Sequence, residues 1–221
     1  MSGSLGRSAE ELKNDRHYKP LFVKAYSEEQ EPVSAFNIAN AISSYVRSLV
    51  SLDSKFDLYI RGDSSQLTIN EKNGFNLFAG KAKCATCHFI PLFNGLVPPE
   101  FTETESEVLG VPRTNSKKNA VIDPDAGKYD FTKAIIHQHG FKIPTLRNVE
   151  LTAPYMHNGV FNTLDEVMEF YNNGGGKGLK IAPSNQTLPF DKLNLSKKEI
   201  VDIIMFMKSL TDTSYLKAAH Y

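Results

Sequence analysis

The sequence predicts a mainly α-helical fold with long irregular loops, and three observations support this prediction. Four Ser/Thr-x-x-Glu capping boxes mark the starts of helices along the 221 residues. A further segment near the N-terminus carries apolar residues at helical spacing. Between Phe89 and Ala153, by contrast, prolines recur and no periodic pattern persists. We therefore expect helices on both sides of an irregular central stretch.

The first 60 residues are expected to form two or three helices. Ser8 and Glu11 make a capping box that predicts a short helix ending near Asn14. A longer helix is predicted from Ser34 to about Val50. The apolar stripe of this longer helix consists of Ile38, Ile42, Tyr45, Val46 and Leu49. So short a segment is too small to be expected to form a core of its own.

Three further capping boxes predict the helices of the remaining chain. They pair Thr68 with Glu71, Thr163 with Glu166, and Ser196 with Glu199. The predicted helices end near Gly80, at the glycine run of residues 174–176, and near Leu210. In the irregular stretch, Val108–Val111 or Ala134–His137 are candidates for short β segments.

A polar turn at residues 61–65 divides the chain into two predicted parts. Residues 1–65 form a helical segment without a cofactor motif. Residues 66–221 have the order of elements expected of a complete domain, with an irregular loop enclosed by helices.

Cys84, Cys87 and His88 form a Cys-x-x-Cys-His motif that contains both cysteines of the chain. Two thiols at this spacing can form thioethers to the two vinyl groups of one porphyrin. The histidine that follows can then occupy one axial position of the haem iron. The motif therefore predicts covalently attached haem c, and the second part of the chain is predicted to be a cytochrome c-like haem domain.

Three other chemistries use a Cys-x-x-Cys pair: a redox-active dithiol, half of a zinc site, and a structural disulfide. A zinc site usually takes four ligands as two close pairs, and the chain has no second pair of cysteines. A thioredoxin-like dithiol belongs in a βαβ unit, which the sequence does not predict. Haem attachment is therefore the preferred interpretation.

Composition excludes several classes of partner. Lys and Arg together equal Asp and Glu at 25 each, so no basic excess points to nucleic acid. No apolar run is long enough for a transmembrane helix.

Residues 1–7 contain no hydrophobic leader, although haem c is normally attached outside the cytoplasm. We therefore expect a mature or partial form of a periplasmic protein.

Residues 141–159 read Phe-Lys-Ile-Pro-Thr-Leu-Arg-Asn-Val-Glu-Leu-Thr-Ala-Pro-Tyr-Met-His-Asn-Gly. With the Cys-x-x-Cys-His motif before it and residues 163–175 after it, this segment resembles the C-terminal half of the bacterial dihaem cytochrome c peroxidase family, which includes the MauG-type enzymes. The resemblance extends over essentially the whole chain. Residues 37–49 match the connecting helix of that family, and residues 77–88 match its second haem site.

The resemblance implies a role as well as a fold. Family members carry an earlier haem, where peroxide is cleaved with the help of a glutamate, and this chain resembles a member that begins after that site. Its first residues are then the end of an incomplete first domain. The implied partners are hydrogen peroxide and either a small electron-donor protein, a cytochrome c or a cupredoxin, or a protein substrate. A homodimer is an arrangement that the resemblance allows.

The sixth ligand of the iron distinguishes branches of the family. The resemblance places it fourteen residues after His157, where peroxidases carry methionine and MauG-type members carry tyrosine; here the residue is Tyr171. From the residues alone, Tyr171 shares a helical face with Leu164, Val167 and Met168, so it is also suited to be a core aromatic. Met168 and an open site remain alternatives.

Other site residues are assigned partly by chemistry and partly by resemblance. Arg147 is a candidate partner of a haem propionate, with a structural salt bridge as the alternative. Phe75 and Phe78 are expected to pack on the porphyrin. The resemblance implies a supporting role near the haems for His157. It also implies calcium contacts for Thr152 and Pro154, although calcium takes at least six oxygens.

Two other functions are consistent with the sequence. The chain can be a monohaem electron carrier, or a haem-free binding remnant if it is made without the haem-attachment machinery.

Overall fold

The computed structural model of the chain describes residues 4–188 and 191–214. The chain divides into two compact units, Met1–Val50 and Ser51–Tyr221. The predicted division after residue 65 lies later in the chain than this one. The difference arises because residues 51–65 contribute to the second unit, where Phe56 is 2% exposed in the core.

The first unit contains three helices, α1 (Leu5–Lys13), α2 (Tyr18–Ala25) and α3 (Ala35–Ser48). Ser34 caps α3 by accepting a hydrogen bond from the backbone N–H of Asn37. The side chain of Asn37 is fully buried and donates to Glu29 at 2.8 Å and to the Pro32 carbonyl at 3.0 Å. This buried amide links the loop before α3 to the helix.

The capping box predicted for Ser8 and Glu11 was wrong. The first helix is capped by Ser4, and the backbone N–H of Ser8 donates to the Ser4 carbonyl, so Ser8 lies inside the helix. Glu11 pairs with Arg7 at 3.0 Å instead of closing a capping box.

The helix predicted from Ser34 to about Val50 is confirmed as α3, and only Ile38 of its apolar stripe is buried. The other stripe residues are exposed: Ile42, Tyr45, Val46 and Leu49.

The second unit contains five α-helices in its described part. They are α4 (Lys55–Ile60), α5 (Ile69–Ala79), α6 (Tyr129–Thr132), α7 (Leu164–Asn172) and α8 (Lys197–Ser209). The three predicted capping boxes are present with both reciprocal hydrogen bonds, so the starts of α5, α7 and α8 are confirmed. A further capping box, Ser54 with Asp57, begins α4 and was not predicted.

The core of the second unit is built around the contact of α5 with α8. Gly74 allows this close approach, because a Cβ atom there would lie 1.9 Å from the carbonyl oxygen of Asp202. The phenylalanine rings of Phe56, Phe78, Phe93 and Phe206 then meet edge to face, with centroids 5.2–5.9 Å apart. Such edge contacts are the favoured geometry of aromatic pairs.

The stretch between α5 and α7 is mostly irregular, as predicted. It contains one antiparallel pair of strands, β1 (Ser106–Val108) and β2 (Gly140–Lys142), with Glu107 opposite Phe141. The predicted β segment at Val108–Val111 therefore overlaps β1 only at its first residue. The predicted segment at Ala134–His137 was wrong, because a 3₁₀ turn occupies Ile135–His137.

Among the described residues, no helix is long and apolar enough to cross a membrane.

Candidate haem site

The Cys-x-x-Cys-His motif forms a single helical turn. Cys84–Thr86 is a 3₁₀ helix that begins after Lys83, and the backbone N–H groups of Cys87 and His88 both donate to the Cys84 carbonyl, at 3.2 and 2.9 Å. Residues three and four apart in a helical turn share one side of it. The turn therefore presents both thiols and the imidazole to the same region.

The imidazole of His88 is fixed by its own loop. Its Nδ1 lies 3.1 Å from the carbonyl oxygen of Phe93. With the proton on Nδ1, this nitrogen donates to the carbonyl and Nε2 keeps its lone pair for a metal, which is the usual arrangement of histidine ligands. Burial lowers the pKa of His88 and so favours the neutral ring that coordination requires, while the hydrogen bond to Phe93 opposes this shift.

Both cysteines are free and half-buried. Burial raises the pKa of Cys84 to about 12, and burial followed by the negative charge of Glu107 raises the pKa of Cys87. These thiols are therefore protonated near neutral pH, unlike the acidic thiols of redox motifs. Two uncharged thiols next to a metal-competent imidazole are a donor set that fits covalently attached haem c.

Tyr171 lies at the C-terminal end of α7 in a second apolar cluster. The cluster is built around Val111, Phe161 and Phe170, with Leu109 and Tyr155 among the residues packed on it. Burial is the main reason that the pKa of Tyr171 lies well above its ordinary value. The carboxylate of Glu107 and the sulfur atoms of Cys84 and Cys87 lie close enough to the phenol that their ionised forms would raise this pKa further.

Met168, the alternative ligand, is 3% exposed and belongs to the main core, against which Cys84 also packs. The structure thus brings both Tyr171 and Met168 into the neighbourhood of the motif.

The two predicted aromatic residues lie in the main core. Phe78 is fully buried and its ring centroid is 6.5 Å from that of His88. Phe75 is partly buried and contacts the rings of Phe56 and Phe206 at 5.2 and 5.3 Å. Phe78 is therefore the one that supports the predicted proximal ligand.

Arg147 forms the structural salt bridge rather than a free propionate site. Its guanidinium binds Asp57 through two hydrogen bonds of 2.8 Å and also donates to the carbonyls of Ser51 and Pro91. Both side chains are nearly buried, at 7% and 11% exposure. Because the two terminal nitrogens are engaged in this way, the structure favours the salt-bridge alternative for Arg147.

His157 is held in a network on the turn that contains it. Its ring stacks on Phe141 with centroids 3.6 Å apart, and its Nε2 lies 3.3 Å from a carboxylate oxygen of Asp123. Asn158 donates to Asp123 and to the Pro112 carbonyl, at 2.9 and 3.0 Å. Burial works to raise the pKa of Asp123, but these hydrogen bonds outweigh it and the pKa is lowered. The network joins the turn to the loop of residues 111–123.

Thr152 and Pro154 lie in an exposed loop, where the Thr152 hydroxyl donates to the Val149 carbonyl at 3.2 Å. Within residues 4–188 and 191–214, no group of three or more His, Cys, Asp or Glu side chains is arranged to hold a metal ion.

Three carboxylates near these groups were missed by the sequence analysis. Asp57 closes a capping box, and a search that accepted Asp in place of Glu would have found it. Asp123 precedes a proline in a turn-like sequence, which gives no indication of its partner. Glu107 alternates with Glu105 in front of buried Val108, a weak strand signal.

A separate cleft of about 610 Å³ lies between the loop of residues 112–120 and α7. Its lining includes Glu166 and Glu169 but none of Cys84, Cys87 and His88. This cleft is therefore distinct from the candidate haem site.

Comparisons with known proteins find similarity to dihaem peroxidases. A model of the di-haem cytochrome c peroxidase family matches residues 1–65. Methylamine utilization protein MauG of Methylorubrum extorquens is 32% identical over 210 residues, which cover 95% of this chain and 54% of that protein. Cytochrome c551 peroxidase of Nitrosomonas europaea is 32% identical over 196 residues, covering 88% and 49%.

Solved structures agree with these relatives. A MauG-like protein associated with microbial copper homeostasis superposes with a TM-score of 0.74 at 31% identity, over 97% of this chain and 64% of that one. The chain spans about half the length of the curated relatives it matches.

Proposed function

The chain belongs to the di-haem cytochrome c peroxidase family, and from this premise we propose that it attaches one haem c through Cys84 and Cys87, with His88 as the proximal ligand. The observation that carries the proposal is the geometry of the motif. One helical turn presents two protonated thiols and an imidazole whose Nδ1 is engaged at 3.1 Å by the Phe93 carbonyl. When bound, the haem would supply the one-electron chemistry of iron.

Tyr171 is our proposed sixth ligand. Its phenol lies at the end of α7 within electrostatic range of both motif thiols, which supports this choice. A phenolate is a hard, anionic donor, whereas a thioether is soft and raises the iron potential. Tyrosine ligation would therefore favour the ferric state and suit the haem to holding oxidising equivalents.

In the whole protein, this haem would relay electrons for the reduction of hydrogen peroxide at another haem. The 221 residues contain one attachment motif, and they span only part of the length of the relatives. The proposed electron donor is a small cytochrome c or cupredoxin; oxidation of a protein substrate is the MauG-type alternative. Haem c attachment implies a periplasmic location.

The remaining site residues have supporting roles in this proposal. His157 holds the 156–159 turn through Asp123 and Phe141 and does not act on a reacting atom. Thr152 and Pro154 would contribute two of the oxygens of a calcium site, and the other ligands would come from elsewhere.

Mass spectrometry tests the attachment. The chain is produced together with the haem-attachment machinery, and the intact mass is expected to rise by one haem. The double variant Cys84→Ser/Cys87→Ser should keep the mass of the polypeptide alone. A chain that stays haem-free under these conditions would refute the proposal.

Stopped-flow mixing of the reduced, haem-loaded chain with hydrogen peroxide and a reduced donor tests the assigned role. The relay role predicts reversible one-electron reduction of the ferric haem by a donor but little peroxide turnover by the chain alone. Rapid turnover by the chain alone would contradict the relay assignment, because peroxide cleavage would then occur at this haem.

A further inference from the structure

A strand face bearing two glutamates lies against the candidate haem site. Side chains alternate along a strand, so Glu105, Glu107 and Leu109 share one face around β1. All three side chains are half-buried. The same face therefore carries two carboxylates followed by an apolar residue.

Leu109 fixes where this face points. It packs in the apolar cluster that also contains Tyr171, and its carbonyl accepts a hydrogen bond of 2.9 Å from the backbone N–H of Gly176, just after α7. Val108 is 2% exposed and its backbone N–H donates to the Thr187 hydroxyl at 2.8 Å. The end of β1 is thus anchored to the segment that carries the proposed sixth ligand.

The start of β1 is tied to the loop that follows the haem-attachment turn. The backbone N–H of Glu105 donates to the Gly95 carbonyl at 2.8 Å, and the Phe93 carbonyl of the same loop lies 3.1 Å from Nδ1 of His88.

The negative charges of Glu107 and, less strongly, Glu105 act on Cys87, and Glu107 also acts on Tyr171. A haem attached to Cys87 and held by His88 would therefore lie within the field of both carboxylates. In a partly buried site such a field is screened less than at the surface.

We propose that the carboxylates of Glu107 and, to a lesser extent, Glu105 stabilise the ferric state of the attached haem and thereby lower its reduction potential. Reduction of Fe(III) to Fe(II) adds one electron and removes one positive charge from the site. A fixed negative charge nearby therefore favours the oxidised form. The proposal rests on haem attachment but not on the peroxidase reaction.

Spectroelectrochemical titration of the haem-loaded chain, with dithionite as the reductant, measures this effect directly. Glu107→Gln is expected to raise the midpoint potential, changing the reduction equilibrium about tenfold, or about 59 mV for one electron. Glu105→Gln should shift it in the same direction by a smaller amount. Glu107→Asp keeps the charge and should keep most of the potential.

Glu103→Gln is the matched control, because Glu103 is exposed shortly before the same strand and should leave the potential unchanged. The proposal is overturned if Glu107→Gln and Glu105→Gln both titrate at the potential of Glu103→Gln. If Glu107→Gln fails to fold, the proposal is decided by whether Glu105→Gln alone raises the midpoint potential above that of Glu103→Gln. A failure of the proposed function can be told apart from a failure of this proposal, because the unmodified chain would then carry no covalent haem.

Discussion

A bound iron would reverse the protonation state that the surroundings of Tyr171 favour. In the structure burial raises the pKa of its phenol, and the nearby carboxylate of Glu107 adds to this shift, so a phenolate is disfavoured. A bound cation inverts this preference, because it supplies the positive charge that the anion lacks. Tyrosine ligation is therefore a property of the loaded site, and it has to be tested with haem in place.

Tyr171→Phe is expected to change the ferric absorption spectrum of the haem-loaded chain and to raise its midpoint potential, since an anionic oxygen ligand is lost. Met168→Leu, a swap of similar volume, should leave the spectrum unchanged. The opposite pattern, with an altered spectrum only for Met168→Leu, would assign the sixth position to methionine.

Arg147 and Asp57 form a nearly buried ion pair whose partners are far apart in the sequence. Burial works to raise the pKa of Asp57, but the hydrogen bonds from Arg147 and Ser54 outweigh it and lower the pKa below its ordinary value. A carboxylate with a depressed folded-state pKa stabilises the fold above its unfolded pKa of about 3.9. That contribution is lost as the pH falls through the lower folded-state value.

Arg147→Met should lower the free energy of unfolding by about 3–5 kcal/mol at pH 7, because it leaves Asp57 buried without its partner. Urea denaturation measures the loss. Between pH 7 and pH 3 the variant should also lose less stability than the unmodified chain, since the depressed pKa of Asp57 is abolished. Equal acid sensitivity of the two proteins would contradict the assignment of this pH dependence to the pair.

At the scale of the elements, Gly74 sets the distance between α5 and α8. Alanine has the higher helix propensity, by about 1 kcal/mol, so a substitution on an isolated helix would be stabilising. Here the added Cβ would lie 1.9 Å from the Asp202 carbonyl oxygen and 2.8 Å from Cβ of Phe206. The clash is with backbone, which cannot move without separating the helices.

Gly74→Ala is therefore expected to destabilise the second unit by about 2 kcal/mol or more, despite the gain in propensity. Urea denaturation followed by circular dichroism gives the value. Gly6→Ala in α1 is a useful control, because its Cβ would meet only the Ser4 hydroxyl at 3.6 Å and should be neutral or stabilising. A neutral Gly74→Ala would mean that α5 and α8 are not packed this closely.

The helices were more predictable than the strands for a local reason. A capping box joins residues three positions apart, so Thr68, Thr163 and Ser196 reveal their helices without knowledge of the fold. The strands β1 and β2 pair across more than thirty residues, and their short sequences carry no alternation that is distinctive. Ser8 shows the limit of the local signal, because a serine–glutamate pair also occurs inside a helix.

At the scale of the whole molecule, one part of the candidate site could be predicted from the sequence, and another part is brought together only by the fold. The motif at residues 84–88 is contiguous and was readable from spacing alone. The partner of Arg147 was not, because Asp57 lies 90 residues away and is brought near only by the folded core. Nor could the carboxylates of Glu105 and Glu107 be linked to the haem turn before the positions of β1 and α7 were known.

The irregular stretch between α5 and α7 is where an attached haem would add packing contacts to the second unit. This stretch has few hydrogen bonds between strands, because β1 and β2 contain only three residues each. The motif thiols and Tyr171 are half-buried, so an apolar porphyrin between them would supply contacts that the polypeptide lacks. Groups that bind only the folded state stabilise it.

We therefore expect the haem-loaded chain to melt at a higher temperature than the haem-free Cys84→Ser/Cys87→Ser variant. A difference of about 2–4 °C corresponds to each 1 kcal/mol in a domain of this size, and scanning calorimetry resolves it. Hydrogen exchange should locate the loss in the irregular stretch, whereas α5 and α8, which share the phenylalanine core, should stay protected. If the two forms melt together and exchange alike, the porphyrin contributes no packing to this unit, and the loops around the motif are stable through their own hydrogen bonds.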